Sequence, residues 1–300
     1  MENMLFKDVA NKWLKSKTNI KESTLDRYKR AIESKLLLEF GELSINCITA
    51  NNIQKFFNKL SMKYKSTTIK LIFYVLKSVI ISVTKKTILK PQLLTLERYR
   101  PETLNKEEVS KLNIYFNNDS SLYSLGIRIA LTTGLRVGEI CALKWKNINL
   151  EKKTIKIIAT MQRMSSKIGK EKHKTVVKIT APKTESSYRE IPIPPKLFNI
   201  LKIYKCHSDC FLLTGKSDKF IEPRVLQYHF QVVSLRYIGR KIRFHALRHT
   251  FATELISHQV DIKTVSELMG HSSVIVTLNI YRFVKYDDMM KALKIMEKIL

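Results

Sequence analysis

Glycine and proline are scarce in this 300-residue chain, eight and seven respectively, and no low-complexity tract interrupts it. Long disordered segments are therefore excluded. The cysteines Cys47, Cys141, Cys206 and Cys210 are too few and too scattered for a disulfide framework. Long hydrophobic runs are also missing. The most apolar stretch, IFYVLKSVIISV, is twelve residues with Lys77 inside it, whereas a membrane span needs roughly twenty. Glu2, Lys7 and Asp8 interrupt the first apolar residues, so no secretory leader pattern opens the chain. A soluble, cytoplasmic protein with no membrane partner is expected. The remaining deficit is acid: 26 Asp and Glu face 54 Lys and Arg, a net charge of +28.

Such an excess fits a protein that tracks a polyanion and releases its counterions, although lysine-rich codon usage also adds to it. Residues 1–100 hold 20 basic and 8 acidic side chains, so +12 lies there and +16 beyond, and both parts are expected to touch nucleic acid. Metal-ligand patterns are incomplete. Cys206-His207 with Cys210 would make one corner of a zinc site, but no second pair completes four ligands. His245 and His249 have the i, i+4 spacing of a metalloprotease helix without its glutamate, and Arg248 between them repels a cation. No acidic cluster resembles a two-metal nuclease site. The expectation is metal-free chemistry with no cofactor.

A chain of this length makes about two domains, each burying its own core. Residues 1–88 read as helices: Ser23, Thr49 and Ser66 each stand where an N-cap opens an amphipathic run. Leu71, Val75, Val79 and Val83 recur at helical spacing as a core stripe. Residues 89–103, with two prolines and little periodicity, form the linker. Asn105 and Glu108 then make a capping box that heads a second domain over 104–300. Helices continue to about residue 150, three strand-like runs follow to Pro194, and helices resume with PKLFNILKIYK. The fold class is mainly α with a small antiparallel β-sheet in the second domain.

The residues that suggest chemistry lie in this second part. In FHALRHTFAT, His245 and Arg248 are i and i+3 and share a helix face, where both reach one anion. Arginine presents permanently charged donors to phosphate oxygens, and histidine carries a proton near neutral pH. In TGLRVGEI, Gly134 ends one helix and Arg136-Val137 begins the next, projecting a second guanidinium from an inter-helix corner, with Glu139 one turn on. Lys183 in APKTESSYREIPIP sits between two strand-like runs and reads as a hairpin tip. His271 follows in LMGHSS and Tyr281 in LNIYR. Cations, imidazoles and a phenol in this combination suit a phosphodiester electrophile, with the phenol as nucleophile.

In order, Arg136, Lys183, His245-x-x-Arg248, His271 and Tyr281 closely resemble the tyrosine recombinase (phage integrase) family over most of residues 104–290. The wording is specific: TGLR-x-GE, PKT-x-x-S-x-R-x-IP, HALRHTFAT, and MGHSS with a tyrosine ten residues after its histidine. The resemblance implies a two-domain DNA clamp whose first domain, residues 1–88, is a SAM-like core-binding bundle. It implies that Tyr281 attacks the scissile phosphate to give a 3′-phosphotyrosine and a free 5′-hydroxyl. Arg136 and Arg248 then clamp the non-bridging oxygens, Lys183 protonates the leaving oxygen, His245 acts as acid/base, His271 hydrogen-bonds the phosphate and Glu139 braces the site. His249 reads as structural.

Implied partners are double-stranded attachment sites, a synaptic tetramer of the chain on DNA, and accessory bending or directionality factors. The C-terminal run, with Met290, Leu293, Ile295, Met296 and Leu300 on a helical pattern, is expected to dock on a neighbouring protomer. No arm-type module precedes the first domain in this sequence, which suggests a simpler recombinase or one recruited by other factors. A mobile-element integrase is the leading reading. A chromosome-dimer resolvase, a type IB topoisomerase-like enzyme and a DNA-binding protein without catalysis are the alternatives. Each residue also has a plainer role open to it: Lys183 as a solvated lysine, His271 as a helix-end histidine, Tyr281 as a packing residue with Tyr286 nearby.

Overall fold

The computed structural model describes residues 4–84, 91, 101–165, 175–182, 184–280, 290 and 293–294. The chain divides into two compact units, Met1–Tyr99 and Arg100–Leu300. The expected linker, 89–103, is described only at Pro91 and 101–103, and the C-terminal run expected to dock in trans lies almost wholly outside the described residues.

In the first unit, helix α1 (Phe6–Lys15) is followed by α2 (Glu22–Ala31), which runs through a π-helical turn at Ile32–Leu36 into the short α3 (Leu37–Phe40). Helices α4 (Ala50–Ser61) and α5 (Ser66–Ile81) complete it. Thr49 caps α4 as expected, in a reciprocal box with Asn52. Two other helix starts differ: α2 and α5 open after Lys21 and Lys65, ahead of Ser23 and at Ser66, with no side-chain cap. Tertiary burial of apolar faces compensates for a missing cap. The α5 core stripe contains Val75 and Val79, but its full buried set is Ile69, Ile72, Val75, Leu76, Val79 and Ile80, with Leu71 and Val83 at the margin. Aromatic rings stitch the interior together: Phe40 meets Phe56 edge-on at 5.1 Å, and Phe57 meets Phe73 at 5.6 Å. Offset and edge-to-face ring pairs of this kind add stability beyond their buried area.

The second unit begins with α6 (Lys106–Asn118), capped by the expected Asn105–Glu108 box, then α7 (Leu122–Thr133) and α8 (Val137–Ala142). Strands β1 (Ile148–Asn149), β2 (Thr154–Ile157), β3 (Thr160–Ser165), β4 (Thr175–Thr180) and β5 (Arg189–Pro192) follow. The pairing is antiparallel throughout, but it falls into two small sheets, β1-β2-β5 and β3-β4. Because β4 pairs with β3 and β5 with β2, β4 and β5 are not the two arms of a hairpin. The two strands belong to different sheets. Lys183, expected at a hairpin tip, itself lies outside the described residues.

Helices α9 (Pro195–Ile203), α10 (Pro223–Ile238), α11 (His245–Ser257), α12 (Ile262–Met269) and α13 (Val274–Ile280) complete the unit. Its core joins Leu125, Ile127 and Ala130 of α7 to Leu226 and Phe230 of α10 and Ala246 and Leu247 of α11, all fully or nearly fully buried. The Thr250 hydroxyl accepts from Leu104 N–H at 2.8 Å, and Arg240 pairs with Glu102 and Glu108, so the start of the unit is tied to its last third.

Candidate active site

Three helix ends converge to build the site. Helix α7 terminates at Gly134 in the left-handed conformation (φ +67°), and the turn delivers Arg136 to the N-cap of α8. Helix α11 starts at His245, which puts His245 and Arg248 on one face of its first turn. Helix α12 ends at Gly270, again left-handed (φ +62°), and passes the chain to His271.

The last three residues of that turn present consecutive carbonyls, and each accepts a hydrogen bond from a different arginine. Leu268 O takes Arg189 Nε at 2.8 Å, Met269 O takes Arg248 Nη2 at 2.6 Å, and Gly270 O takes Arg136 Nη2 at 3.0 Å. A helix C-terminus carries partial negative charge on its unpaired carbonyls and favours cations there. The end of α12 thus gathers three mutually repelling guanidiniums in one place.

Glu139 completes the arrangement from below. Only 3% exposed, it accepts from Arg136 Nη1 at 2.7 Å and Arg189 Nη2 at 3.0 Å, and from the Arg136 backbone N–H at 3.0 Å. Burial favours a protonated carboxyl, but Arg189 and then Arg136 outweigh it and hold Glu139 below the usual carboxylate range. Arg248 is 2% exposed, with Nη1 on Gly134 O at 2.6 Å, while Arg136 leaves 35% of its side chain open. Arg248 is therefore buried and pinned, whereas Arg136 is accessible.

A cleft of about 500 Å³ is lined by Arg136, Glu139, Thr160, Thr184, His245 and His271 among others. His271 Nδ1 lies 2.8 Å from the buried Thr277 hydroxyl. His245 packs edge-on against His249 at 4.6 Å. Burial lowers the pKa of both cleft imidazoles, and neighbouring cations lower it further. His245 falls to about 4, with His249, Arg248 and Arg136 adding to desolvation. His271 falls to about 3, with Arg248, Arg136 and Arg189 adding to it. Both rings are therefore neutral at pH 7.

The structure thus brings together Arg136, Glu139, His245, Arg248 and His271 from the expected set, whereas Lys183 and Tyr281 lie outside the described residues. Sequence reasoning passed over two partners. Arg189 shares a strand face with the buried Ile191, and alternation along β5 marks it as inward-pointing. Thr277 carried no signal of its own. Among the described residues, no three His, Cys, Asp or Glu side chains gather as a metal site.

A helical unit with a guanidinium cluster, two imidazoles and a small pair of sheets has the architecture of a tyrosine recombinase catalytic domain. Residues 102–287 match the phage integrase family and residues 5–61 match its N-terminal SAM-like domain. The chain is 31% identical to a tyrosine recombinase XerC-like protein of Caldanaerobacter subterraneus, covering 82% of this chain and 70% of the relative. It is 24% identical to the integrase of Staphylococcus phage L54a, covering 95% and 90%. In fold it is similar to the Tn1549 transposon integrase in complex with transposon right end DNA, with a TM-score of 0.82 at 20% identity over 97% of this chain and 99% of that one. The chain belongs to the phage integrase family. It is accordingly a site-specific recombinase, an enzyme of DNA strand cleavage and transfer.

Proposed function

We propose that the cleft lined by Arg136, His245 and His271 holds one scissile phosphate of duplex DNA and that the chain cuts and rejoins strands there through a 3′-phosphotyrosine, integrating or excising a mobile element. The observation that carries this reading is the set of three consecutive carbonyls, Leu268 to Gly270, each holding one arginine beside two cleft imidazoles. An array held in advance of the reaction stabilises developing phosphorane charge without reorganising. Arg136 and Arg248 contact the non-bridging oxygens, and losing either lowers the rate on the order of 10² to 10³.

Tyr281 Oη attacks phosphorus as the bond to the 5′-oxygen breaks, and Lys183 supplies the proton that this oxygen takes. His245 acts as the acid/base that takes the proton Tyr281 Oη gives up. Thr277 donates to His271 Nδ1, which leaves Nε2–H to donate to the phosphate. An arriving phosphodiester offsets the surrounding cations and raises both imidazoles toward the range where they exchange protons at neutral pH. Attack by a 5′-hydroxyl of another strand on the phosphotyrosine reverses the chemistry and reseals DNA, with the bond energy conserved.

Residues 1–88 serve as the core-binding domain and 104–300 as the catalytic domain, the two joined by the linker 89–103. Synapsis assembles a tetramer on two sites, with the C-terminal run docking in trans and accessory factors setting direction, in the bacterial cytoplasm. Covalent selection from a pool of nicked duplexes with randomised cores tests the reading. Wild type should capture a sequence class as a denaturation-resistant adduct mapping to Tyr281, and Tyr281→Phe should bind that class without capturing it. Binding by wild type with no adduct would replace strand transfer with a binding-only function.

A further inference from the structure

Among the described residues Arg189 makes four hydrogen bonds, all of them to protein groups that support the cleft from behind. Besides Leu268 O, its guanidinium reaches Ser187 O at 3.1 Å and the two Glu139 oxygens at 3.4 and 3.0 Å, and its side chain is 8% exposed. It does not line the cleft that Arg136, His245 and His271 share. Arg136 engages two of its N–H groups, one with Glu139 and one with Gly270 O. A guanidinium has five such donors, so three remain for a ligand.

The buried carboxylate therefore stands between two guanidiniums of different duty. If Glu139 had Arg136 as its sole cation, the pair would be a closed ion pair in a low-dielectric pocket, and Arg136 would offer a phosphate little net charge. With Arg189 on the same carboxylate, three guanidiniums and one carboxylate leave the cluster a net +2.

Resting on the recombinase reading above, we propose that Arg189 is a positioning residue for strand transfer. It neutralises Glu139 so that Arg136 keeps its charge and free donors for the scissile phosphate. Removing Arg189 drops the cluster from +2 to +1. Removing Glu139 as well returns it to +2, and a glutamine there still accepts from the Arg136 backbone N–H, as glutamine does in a capping box.

This makes a signature that lost packing alone would not produce. On the duplex recovered from the randomised nicked pool, Arg189→Met should lower the rate of adduct formation on the order of 10²-fold, with duplex affinity changing far less. The double variant Arg189→Met/Glu139→Gln should recover at least about tenfold of that loss. A double variant as slow as Arg189→Met, with both melting like wild type, would overturn the proposal. If Arg189→Met does not fold, Arg189→Lys decides: it keeps the charge and loses the fork to Leu268 O and Ser187 O. A loss within about tenfold supports the charge argument, and a loss on the order of 10²-fold with unchanged melting overturns it. Wild type forming no adduct removes the recombinase reading and this inference with it. A wild-type adduct unaffected by Arg189→Met removes the inference alone.

Discussion

Gly270→Ala should be far more damaging than its single added carbon suggests. Gly270 has φ +62°, and a non-glycine residue in the left-handed region costs about 1–2 kcal/mol. An added Cβ would also lie 2.6 Å from Arg189 Nη1 and 3.1 Å from Ser186 O. An arginine tip usually swings away from such a contact, but this one is held by Leu268 O, Ser187 O and Glu139. Yielding means losing at least one hydrogen bond to a charged group, worth about 1.5–3 kcal/mol. The total is about 2.5–5 kcal/mol.

Gly215 supplies the internal control. Its φ is +65° and nothing lies within 4 Å of its added Cβ, so Gly215→Ala should cost the backbone term alone, about 1–2 kcal/mol. The chain has two tryptophans, Trp13 in the first unit and Trp145 in the second, so a Trp13→Phe background leaves Trp145 as sole fluorescent reporter of the catalytic unit. Urea unfolding followed at Trp145 gives both values. Equal losses for the two alanine variants would refute the claim that Arg189 is pinned against the α12 terminus.

Three further outcomes are expected. His245 and His271 bind protons more weakly when folded (about 4 and about 3) than when unfolded, near 6.5. The unfolded state therefore takes up more protons on acidification, and stability that is full above about pH 7 falls as the pH drops through 6.5 toward 4. The urea midpoint at Trp145 should fall between pH 7.5 and 5 and fall less in His271→Gln; a flat profile in wild type would contradict the burial of these rings. Thr49→Ala removes the acceptor for Asn52 N–H and should cost about 1 kcal/mol, read as faster amide exchange in α4. With a net charge of +28, duplex affinity should fall linearly on a log–log plot against salt, with a slope of about −0.9 per phosphate neutralised; a salt-independent affinity would show that the excess charge is not at the DNA interface.

Local signals carried a good share of the architecture. The Asn105–Glu108 and Thr49 caps, the glycine stop at Gly134 and the start at Arg136 were legible because each depends on residues within one turn of the helix. The Ser23 and Ser66 starts were misplaced because a polar residue near a helix end is only a weak preference, overridden once apolar faces are buried. The strands were visible as runs, but their partners were not. That β5 returns to β2 while β4 pairs with β3 depends on contacts far apart in sequence, and a hairpin tip was inferred between strands that belong to different sheets.

The same division holds at the site. The sequence by itself determined which side chains the chemistry has available, Arg136, His245, Arg248 and His271 among them, because their motifs are contiguous and their residue types few. It also determined that Arg136 and Glu139 meet, since three residues separate them on one helix end. Only the tertiary structure decided that α12 ends where three arginines can share three successive carbonyls. Only it decided that Arg189, 50 residues from Glu139 in sequence, lies against that carboxylate. The physical reason is range: capping and helical spacing act within a few residues, whereas grouping like charges requires a buried anion and a helix dipole brought in from distant segments.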